Sequence, residues 1–232
     1  MTPPCGVLIH LRPARIEAIR AAAPVAYVPW GAIEWHGVHA PVGLDGMQAD
    51  GQCRALARET GGIVLPVVYA GTDTIKPFKG FPHTVEHAAA TVEALASELL
   101  DGLADEGWRV VVVVTGHAGG GHTDALERAR AAFSARRPDV AARVVTSFSP
   151  IADAHAPNHA ARGEVSFQLL FRPGDVDLSA IPDGPAPTLD GDGVWGDDPR
   201  GATDEEGAAM LRLFVDRVAA DVRAALDALP PR

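Results

Sequence analysis

This chain has few cysteines and no pattern of a secretory signal. The 232 residues contain two cysteines, Cys5 and Cys53, which form neither a CxxC pair nor a disulfide framework. Residues 1–20 lack the long apolar run and the cleavage pattern of a secretory signal. Cysteine usage of this kind is typical of a reducing compartment, so we expect a cytoplasmic protein.

Positive charge and long apolar runs are scarce as well. The 30 acidic residues outnumber the 20 basic ones, the formal net charge is −10, and no basic cluster occurs. Nucleic acids and anionic membranes both bind through clustered Lys and Arg, so we expect no nucleic acid and no membrane as partner. The apolar runs are shorter than the ~20 residues that a membrane-spanning helix needs.

The composition and the pattern along the chain are typical of an α/β protein. Hydrophobic residues make up 47% and charged residues 22% of the sequence, which suits a single domain over 1–232, although two small domains would also fit. Strands are predicted at 25–30, 62–72, 109–115 and 140–149, and helices at 46–62, at 85–107 with Thr84 as N-cap, at 125–135, at 164–171 and at 203–229. The alternation favours a mostly parallel sheet with helices on both faces.

Ligand-type side chains follow three of these strands. In open α/β sheets, ligands bind outside the carboxyl ends of the strands, so side chains that follow different strands are predicted to converge at one edge. The three clusters are Glu34, His36, His39 and Asp45; His117 and His122; and Asp153, His155 and His159.

The first two clusters have the chemistry of a metal site. Glu34 and His36 are two residues apart, so in an extended chain both point the same way, and Asp45 can return after a turn. Gly116 would let the backbone turn sharply and present His117 as a fourth ligand. A lone histidine in a loop is usually a surface or capping residue, but four ligand-type residues at strand ends favour zinc, manganese or iron.

The glycine-rich segment 116–121 allows a different interpretation. A glycine-rich turn between strand and helix can hold phosphate on its backbone N–H groups. GHAGGGHTD, however, lacks the Lys-Ser/Thr pair of a P-loop and the GxGxxG spacing of a dinucleotide site. A nucleotide-binding module is therefore the weakest of the hypotheses.

Four segments together resemble the creatininase family. They are VPWGAIEWHGVHAPVGLD, TGHAGGGH, HAARGEVSFQLLFRPGDVDL and GVWGDDPRGATDEEG, and they occur in the family's order over nearly the whole chain. The resemblance implies a three-layer α/β/α fold with a mostly parallel central sheet, a homo-oligomer that is commonly a hexamer, and one or two divalent metals at the sheet edge. Zinc is the first expectation for the metal, with manganese or iron as alternatives.

The same resemblance assigns roles to individual residues. It implies Glu34, His36, Asp45 and His117 as metal ligands, with Asp45 as the bridging one. His159 matches the family's catalytic histidine. Glu164 matches the glutamate that follows it, as a catalytic group or a ligand. An equally weighted alternative for Glu164 is a carboxylate that is favoured at a helix N-terminus by the helix dipole.

Several positions depart from the family's pattern. Members that hydrolyse creatinine carry a carboxylate ligand where this chain has Gly119, an asparagine where it has Gly120, and an aromatic residue where it has His155. Trp35 replaces a usual glutamine. Creatinine is therefore not the expected substrate. Further open assignments are His122, a substitute ligand or a helix-start residue, and Trp195, a pocket wall or a loop-packing residue.

The sequence therefore predicts a metal-dependent hydrolase that cleaves a C–N bond in a small cyclic or formyl amide. Metal-activated water would attack the carbonyl, and His159 would carry a proton to the leaving nitrogen. Within the family, a peptidase-type activity and ring opening of a keto-inositol remain alternatives, and loop 182–202 is expected to shape the pocket. A non-catalytic protein that binds a small ligand is the alternative from a different class.

Overall fold

The computed structural model describes residues 3–230, and a parallel sheet forms its centre. The strands are β1 (Cys5–Val7), β2 (Val25–Gly31), β3 (Gly62–Val64), β4 (Val68–Tyr69), β5 (Val110–Thr115) and β6 (Ala141–Thr146). Their order is β1-β3-β2-β5-β6, and β4 pairs with the end of β2 beyond β3. All pairings between these strands are parallel. The carboxyl ends of β2 and β5 therefore lie side by side.

Helices cover both faces of this sheet. They are α1 (Pro13–Ala22), α2 (Leu44–Thr60), α3 (Ile75–Lys79), α4 (Ala89–Asp105), α5 (Gly120–Arg136), α6 (Arg162–Phe171), α7 (Leu189–Asp192) and α8 (Asp204–Ala228). α1, α4 and α5 contribute to the core on one face, and α2, α6 and α8 to the core on the other. The predicted three-layer α/β/α architecture is confirmed. Within residues 3–230, no helix combines the length and apolar character needed to cross a bilayer.

The valine run of β5 supplies both layers of the core. Val111 and Val113 pack with the layer of α4 and α5, whereas Val110, Val112 and Val114 pack with the layer of α2 and α8. Because alternate side chains of a strand point to opposite faces, a continuous apolar run is what a strand buried on both faces requires. All five valines are buried.

Two glycines let the start of α2 approach the sheet edge. A Cβ atom on Gly31 would collide with the backbone of Gly46, and one on Gly116 would collide with the backbone of Asp45. Neither glycine has a positive φ. The backbone bends at Gly116 as the sequence indicates, and close packing at both glycines places Asp45 beside the ends of β2 and β5.

The helix predicted at 85–107 begins later than the sequence indicates. α4 begins at Ala89, and its N-cap is the preceding residue rather than Thr84. Val85 forms an antiparallel bridge with Ile33, which keeps this segment extended. The Thr84 hydroxyl oxygen accepts a hydrogen bond from the Trp35 N–H at 3.0 Å. The prediction of Thr84 as N-cap is wrong because tertiary pairing overrides local capping at this position.

Other differences concern short elements and boundaries. The strand predicted at 62–72 is divided into β3 and β4, with Pro66 between them, and a proline cannot donate a hydrogen bond to the sheet. α5 begins at Gly120 rather than near residue 125. β1, α1 and α3 fall outside the predicted set. Strands and helices of three to five residues, such as β1 and α3, are too short to carry a periodic pattern.

Candidate metal centre

Six side chains singled out by the sequence meet where β2 and β5 end. Five of them are buried, and His159 is partly buried. Three follow strands, one precedes a helix, and two lie in the first turns of helices. Glu34 and His36 follow β2, His117 follows β5, His159 precedes α6, and Asp45 and Glu164 lie in the first turns of α2 and α6.

Asp45 lies between two imidazoles. Its Oδ1 is 3.2 Å from His36 Nε2, and its Oδ2 is 3.6 Å from His117 Nδ1. On the outer sides, Glu34 Oε2 is 2.8 Å from His117 Nδ1, and Glu164 Oε2 is 3.7 Å from His36 Nε2. The carboxylate of Asp45 therefore faces two groups of donor atoms at once, as a carboxylate shared by two cations must.

The donor atoms form three overlapping sets. Within each set, every donor atom lies within 4.8 Å of the others. Carboxylate oxygen with imidazole nitrogen suits zinc, manganese and iron. The sets share members, so the cluster offers room for one or two cations. They are Glu34, Asp45 and His117; His36, Asp45 and Glu164; and Glu34, His36 and His159.

Backbone carbonyl groups orient the three histidine rings. His36 Nδ1 lies 3.0 Å from the Glu34 carbonyl oxygen, and His117 Nε2 lies 3.0 Å from that of Thr72. His159 Nε2 lies 2.9 Å from the carbonyl oxygen of Trp35. A carbonyl oxygen only accepts, so each of these ring nitrogens carries the hydrogen. Once the ring is neutral, its other nitrogen carries the lone pair that binds a metal.

Eight buried side-chain atoms of the described residues lack a hydrogen bond of good geometry, and two of them, Glu34 Oε2 and His36 Nε2, lie in the cluster. Both atoms face ion-pair partners instead, at 2.8 Å from His117 Nδ1 and at 3.2 Å from Asp45 Oδ1. Buried polar atoms without a hydrogen bond are costly and call for an explanation. A bound cation is an explanation that fits both, because both residues belong to the donor sets. The residues present therefore fit the metal that the sequence predicts.

The carboxylates hold the two inner imidazoles in their charged form when no cation is bound. Burial alone would lower the pKa of His36, but the carboxylates of Asp45, Glu164 and Glu34 together outweigh it and raise the pKa to about 10. Burial likewise opposes the charge on His117, but Glu34, Asp45 and the hydrogen bond to the Thr72 carbonyl together raise its pKa to about 9. The cluster therefore stabilises positive charge at both positions where a cation would bind.

His159 and Glu164 are shifted in directions that keep both neutral near pH 7. Burial raises the pKa of Glu164 to about 8, against the opposing effect of His36. Burial lowers the pKa of His159 to about 4, and the charge on His36 adds to this. Strongly perturbed groups of this kind cluster at functional sites. A neutral imidazole that faces the cluster can accept a proton there.

Loop 72–75 supports two of the donors through its backbone. The Thr72 carbonyl contacts His117, and the Ile75 N–H donates to Glu34 Oε1. The loop itself is held by Glu86, whose carboxylate accepts from the Asp73 N–H at 2.7 Å and from the Thr74 N–H at 3.2 Å. Sequence reasoning misses both Thr72 and Glu86, because a backbone contact leaves no signature in residue type.

His159 is held by the loop that carries Trp195. The two residues exchange backbone hydrogen bonds of 2.8 Å in an antiparallel bridge. The Trp35 indole N–H donates to the Asp192 carbonyl oxygen at 2.8 Å, which anchors the same loop to the segment after β2. Position 35 thus contributes a backbone carbonyl to the His159 ring and an anchor to the loop.

Four residues of the predicted clusters stay outside the donor sets. Asp153 forms an exposed ion pair with Arg217, so its expected convergence on the site is wrong. His155 lines a separate, smaller cavity. His39 Nε2 lies 2.8 Å from the Ala160 carbonyl oxygen, and the residue belongs to none of the donor sets. The fourth residue is His122.

His122 packs beside the cluster without joining it. Its ring lies edge-on to His117, with centroids 4.9 Å apart, and Nε2 is 3.2 Å from the Thr115 hydroxyl. The Thr115 hydroxyl donates to the His117 carbonyl oxygen at 2.7 Å. Burial lowers the pKa of His122 to about 3. These contacts favour a packing role over that of a substitute ligand.

Gly119 leaves no space for a side-chain ligand. A Cβ atom at this position would collide with the backbone carbonyl oxygen of Asp73 and would lie 2.9 Å from His117 Nε2. At Gly120, by contrast, the nearest atom outside the helix backbone is 3.7 Å away. Loop 72–75 thus occupies the space that a carboxylate at position 119 would need.

A cavity of about 920 Å³ opens onto the donor cluster. Glu34, Asp45, His117, His159 and Glu164 lie at one end of it. None of the lining residues, all within the described part of the chain, is Lys or Arg. The rest of the wall is largely apolar, formed by Ile75, Phe78, Phe148, Pro157, Leu189 and Trp195. The predicted contribution of loop 182–202 to this pocket thus includes Leu189 and Trp195.

The fold and this site define a three-layer α/β protein with a buried carboxylate–imidazole centre at the sheet edge. The sequence model described as "Creatininase: Creatinine amidohydrolase" matches residues 10–222. The chain therefore belongs to the creatininase family, whose known members among its relatives are hydrolases.

Two curated relatives and one solved structure illustrate the similarity. The creatinine amidohydrolase of Pseudomonas putida is 28% identical over 102 residues, which are 43% of this chain and 39% of the relative. The mycofactocin precursor peptide peptidase of Mycolicibacterium smegmatis is 31% identical over 166 residues, 68% of this chain and 62% of the relative. The matched regions thus span less than two thirds of either relative. The structure "Creatininase Mn" has a TM-score of 0.80 at 23% identity and covers 97% of this chain and 99% of that one.

Proposed function

We propose that this protein is a metal-dependent hydrolase that cleaves a C–N bond in a cyclic or formyl amide. The observation that carries this proposal is Asp45, whose two carboxylate oxygens face His36 and His117 in the centre of a buried donor cluster. Membership in a family that includes an amidohydrolase and a peptidase supports it. With a cation held by these acceptors, this part of a large cavity would suit a reacting carbonyl group.

The residues that would hold the cation are Glu34, His36, Asp45, His117 and Glu164. Zinc and manganese both suit this mixture of oxygen and nitrogen donors, and one or two ions per chain fit the overlapping sets. The similar solved structure "Creatininase Mn" supports manganese as one of these two metals. When bound, a divalent cation polarises a carbonyl group and lowers the pKa of water.

His159 is proposed as the proton carrier. Its ring lies 4.4 Å from that of His36, its Nε2 donates to the Trp35 carbonyl, and the residue belongs to a donor set. The low pKa leaves the other ring nitrogen unprotonated at neutral pH, so it can accept a proton from water and return it to the leaving nitrogen. The alternative role for His159, that of a ligand, uses the same nitrogen.

Glu164 is proposed to act beside His159. Its Oε2 accepts the Ala160 N–H at 2.6 Å, and its own N–H donates to the Asn158 side chain. These contacts fix the loop that carries His159. The carboxyl group is therefore both a candidate ligand on the side of His36 and a support for the proton carrier.

A peptidase is the second candidate function. The peptidase relative is 31% identical over 68% of this chain, and the cavity is large enough for a segment of peptide. As further proposals from the family resemblance, the chain forms a single domain over 1–232 and assembles into a homo-oligomer, with a hexamer as the first expectation.

A panel of amides tests the proposed reaction. Protein loaded with Zn²⁺ or Mn²⁺ is incubated with hydantoins, N-formyl amines and short peptides, and the released amine or acid is quantified. We expect cleavage of a cyclic or formyl amide that chelation abolishes and that His159→Asn slows by roughly 10²–10⁴-fold. Cleavage of the peptides alone would favour the peptidase, and no C–N cleavage by metal-loaded protein would contradict both.

A further inference from the structure

Two exposed aromatic side chains stand on the wall of the cavity. Phe78 of α3 is 67% exposed and Trp195, in the loop after α7, is 54% exposed, yet both line the cavity. We refer to this pair as the aromatic rim. Large apolar side chains left in water beside a concave site are a common mark of a binding surface. Ile75 and Leu189 add further apolar side chains to the lining of the same cavity.

The cavity lining carries carboxylates and neither Lys nor Arg, and Asp73 adds one of these carboxylates near α3. Lys79 stands outside the lining, with its ammonium nitrogen 4.8 Å from the centroid of the Phe78 ring. The same ammonium group is paired with Asp190, so its charge is already balanced. We therefore expect the group that contacts Phe78 and Trp195 to be uncharged, because a further anion would face the carboxylates of the lining.

The size of the cavity points to a substrate larger than its reacting group. Cavities of roughly 300–1,000 Å³ hold ligands of drug size, and this one has a volume of about 920 Å³. A small cyclic amide would occupy only the end formed by the donor cluster. The remaining space is bounded by Phe148, Pro157 and the aromatic rim.

We propose that the substrate carries an uncharged aromatic or bulky apolar group beside its amide, and that Phe78 and Trp195 bind this group. The part of this inference that concerns the amide rests on the proposed function. The part that concerns the aromatic rim rests on the exposure of Phe78 and Trp195 and on the residues that line the cavity. The backbone of Trp195 is paired with that of His159, so the aromatic rim lies next to the proposed proton carrier.

Three matched probes test this inference on the metal-loaded protein. N-formylphenylalanine amide has a ring and no charge, N-formylglycine amide lacks the ring, and N-formylphenylalanine has the ring and a carboxylate. Calorimetry measures Kd, and formate release measures hydrolysis separately. We expect the neutral aromatic probe to bind roughly 10–100-fold more tightly than the glycine probe, because a ring is removed from water, and to bind more tightly than the anion.

Substitutions assign the preference to the rim. Phe78→Ala and Trp195→Ala should each reduce the preference for the ring, Trp195→Phe should retain most of it, and Ile9→Ala should leave it unchanged. Ile9 is a matched control, since it is 66% exposed and does not line the cavity. Kd values for the two neutral probes within about threefold of each other, or no binding of the aromatic probe at its solubility limit, would overturn the inference.

The two readouts separate this inference from the proposed function. Ring-dependent binding without formate release from any probe would leave the aromatic rim supported and count against formyl-amide hydrolysis. Formate release at equal efficiency from both neutral probes would support formyl-amide hydrolysis and count against a role for the aromatic rim. Light scattering on the same variants tests whether a second copy of the chain covers the aromatic rim. A change of particle mass in Phe78→Ala or Trp195→Ala, with the ring preference intact, would assign the rim to a subunit contact and overturn the inference.

Discussion

The backbone groups of His159 and Trp195 are joined by two reciprocal hydrogen bonds, each 2.8 Å long. The residue proposed to carry the proton and a residue on the rim of the cavity therefore form one antiparallel pair. Their side chains have different tasks in this account, because the imidazole faces the donor cluster and the indole faces the cavity. The backbone of the Trp195 loop positions His159 independently of the indole.

This pairing separates the effects of two substitutions at one position. Trp195→Pro removes the N–H that donates to the His159 carbonyl oxygen, so we expect kcat to fall by roughly 10²-fold through misplacement of the imidazole. Trp195→Ala keeps the N–H, and its kcat on a small amide should stay near that of the wild type. Steady-state kinetics on both variants checks this. Equal kcat values would contradict a positioning role for the bridge.

Glu86 should affect metal binding without touching the metal. Glu86→Gln replaces a carboxylate that accepts from Asp73 and Thr74, so loop 72–75 should hold His117 and Glu34 less firmly. Partners behind the ligands are worth roughly 10–100-fold in metal affinity. Competition with a chromophoric chelator measures the change. Glu93→Gln is the control, because Glu93 pairs with Arg128 on the surface, and equal affinities in the two variants would refute this role.

Gly119 and Gly120 should respond oppositely to alanine. In Gly119→Ala the new Cβ collides with the Asp73 carbonyl oxygen, so we expect the free energy of unfolding to fall by about 1–3 kcal/mol. In Gly120→Ala the nearest atom is 3.7 Å away, and the loss of unfolded-state freedom should leave the protein equally stable or more stable by about 0.4–1 kcal/mol. Urea titration of both variants decides the matter, and similar losses would be inconsistent with the observed packing.

Metal uptake should release protons near neutral pH. The pKa values of His36 and His117 in the metal-free cluster are about 10 and about 9. Both rings are therefore protonated at pH 7, and a cation must displace a proton from each ring that binds it. Affinity should rise as the pH increases toward these values. Calorimetric titration in two buffers of different ionisation enthalpy counts the protons, and binding without proton release would contradict the assigned ligands.

The sequence predicts the donor cluster better than its supports. Glu34, His36, Asp45 and His117 follow parallel strands or begin the next helix, and the rule that such ends meet at one edge brings them together. The same rule fails for Asp153, because a nearby arginine on α8 pairs with it at the surface. Strand-end position shows which residues can converge, and side-chain partners decide which ones do.

Supports that act through the backbone are hidden from the sequence. Thr72 contributes a carbonyl oxygen, which any residue could supply, and Glu86 acts on a loop 12 to 13 residues earlier in the chain. Gly116 is visible as a glycine, but only the structure shows that it makes room for the backbone of Asp45. The fold layers are predictable for the opposite reason, since the buried valines of β5 are a pattern of side chains.

Metal content per chain tests the central claim most directly. Protein purified without a His-tag or chelator is measured by elemental analysis, beside Asp45→Asn and His117→Ala and with His155→Ala as a control outside the donor sets. The account predicts one or two equivalents of zinc or manganese in the wild type and in the control, with a loss in both site variants. A wild type that holds no metal and takes none up on titration would contradict it.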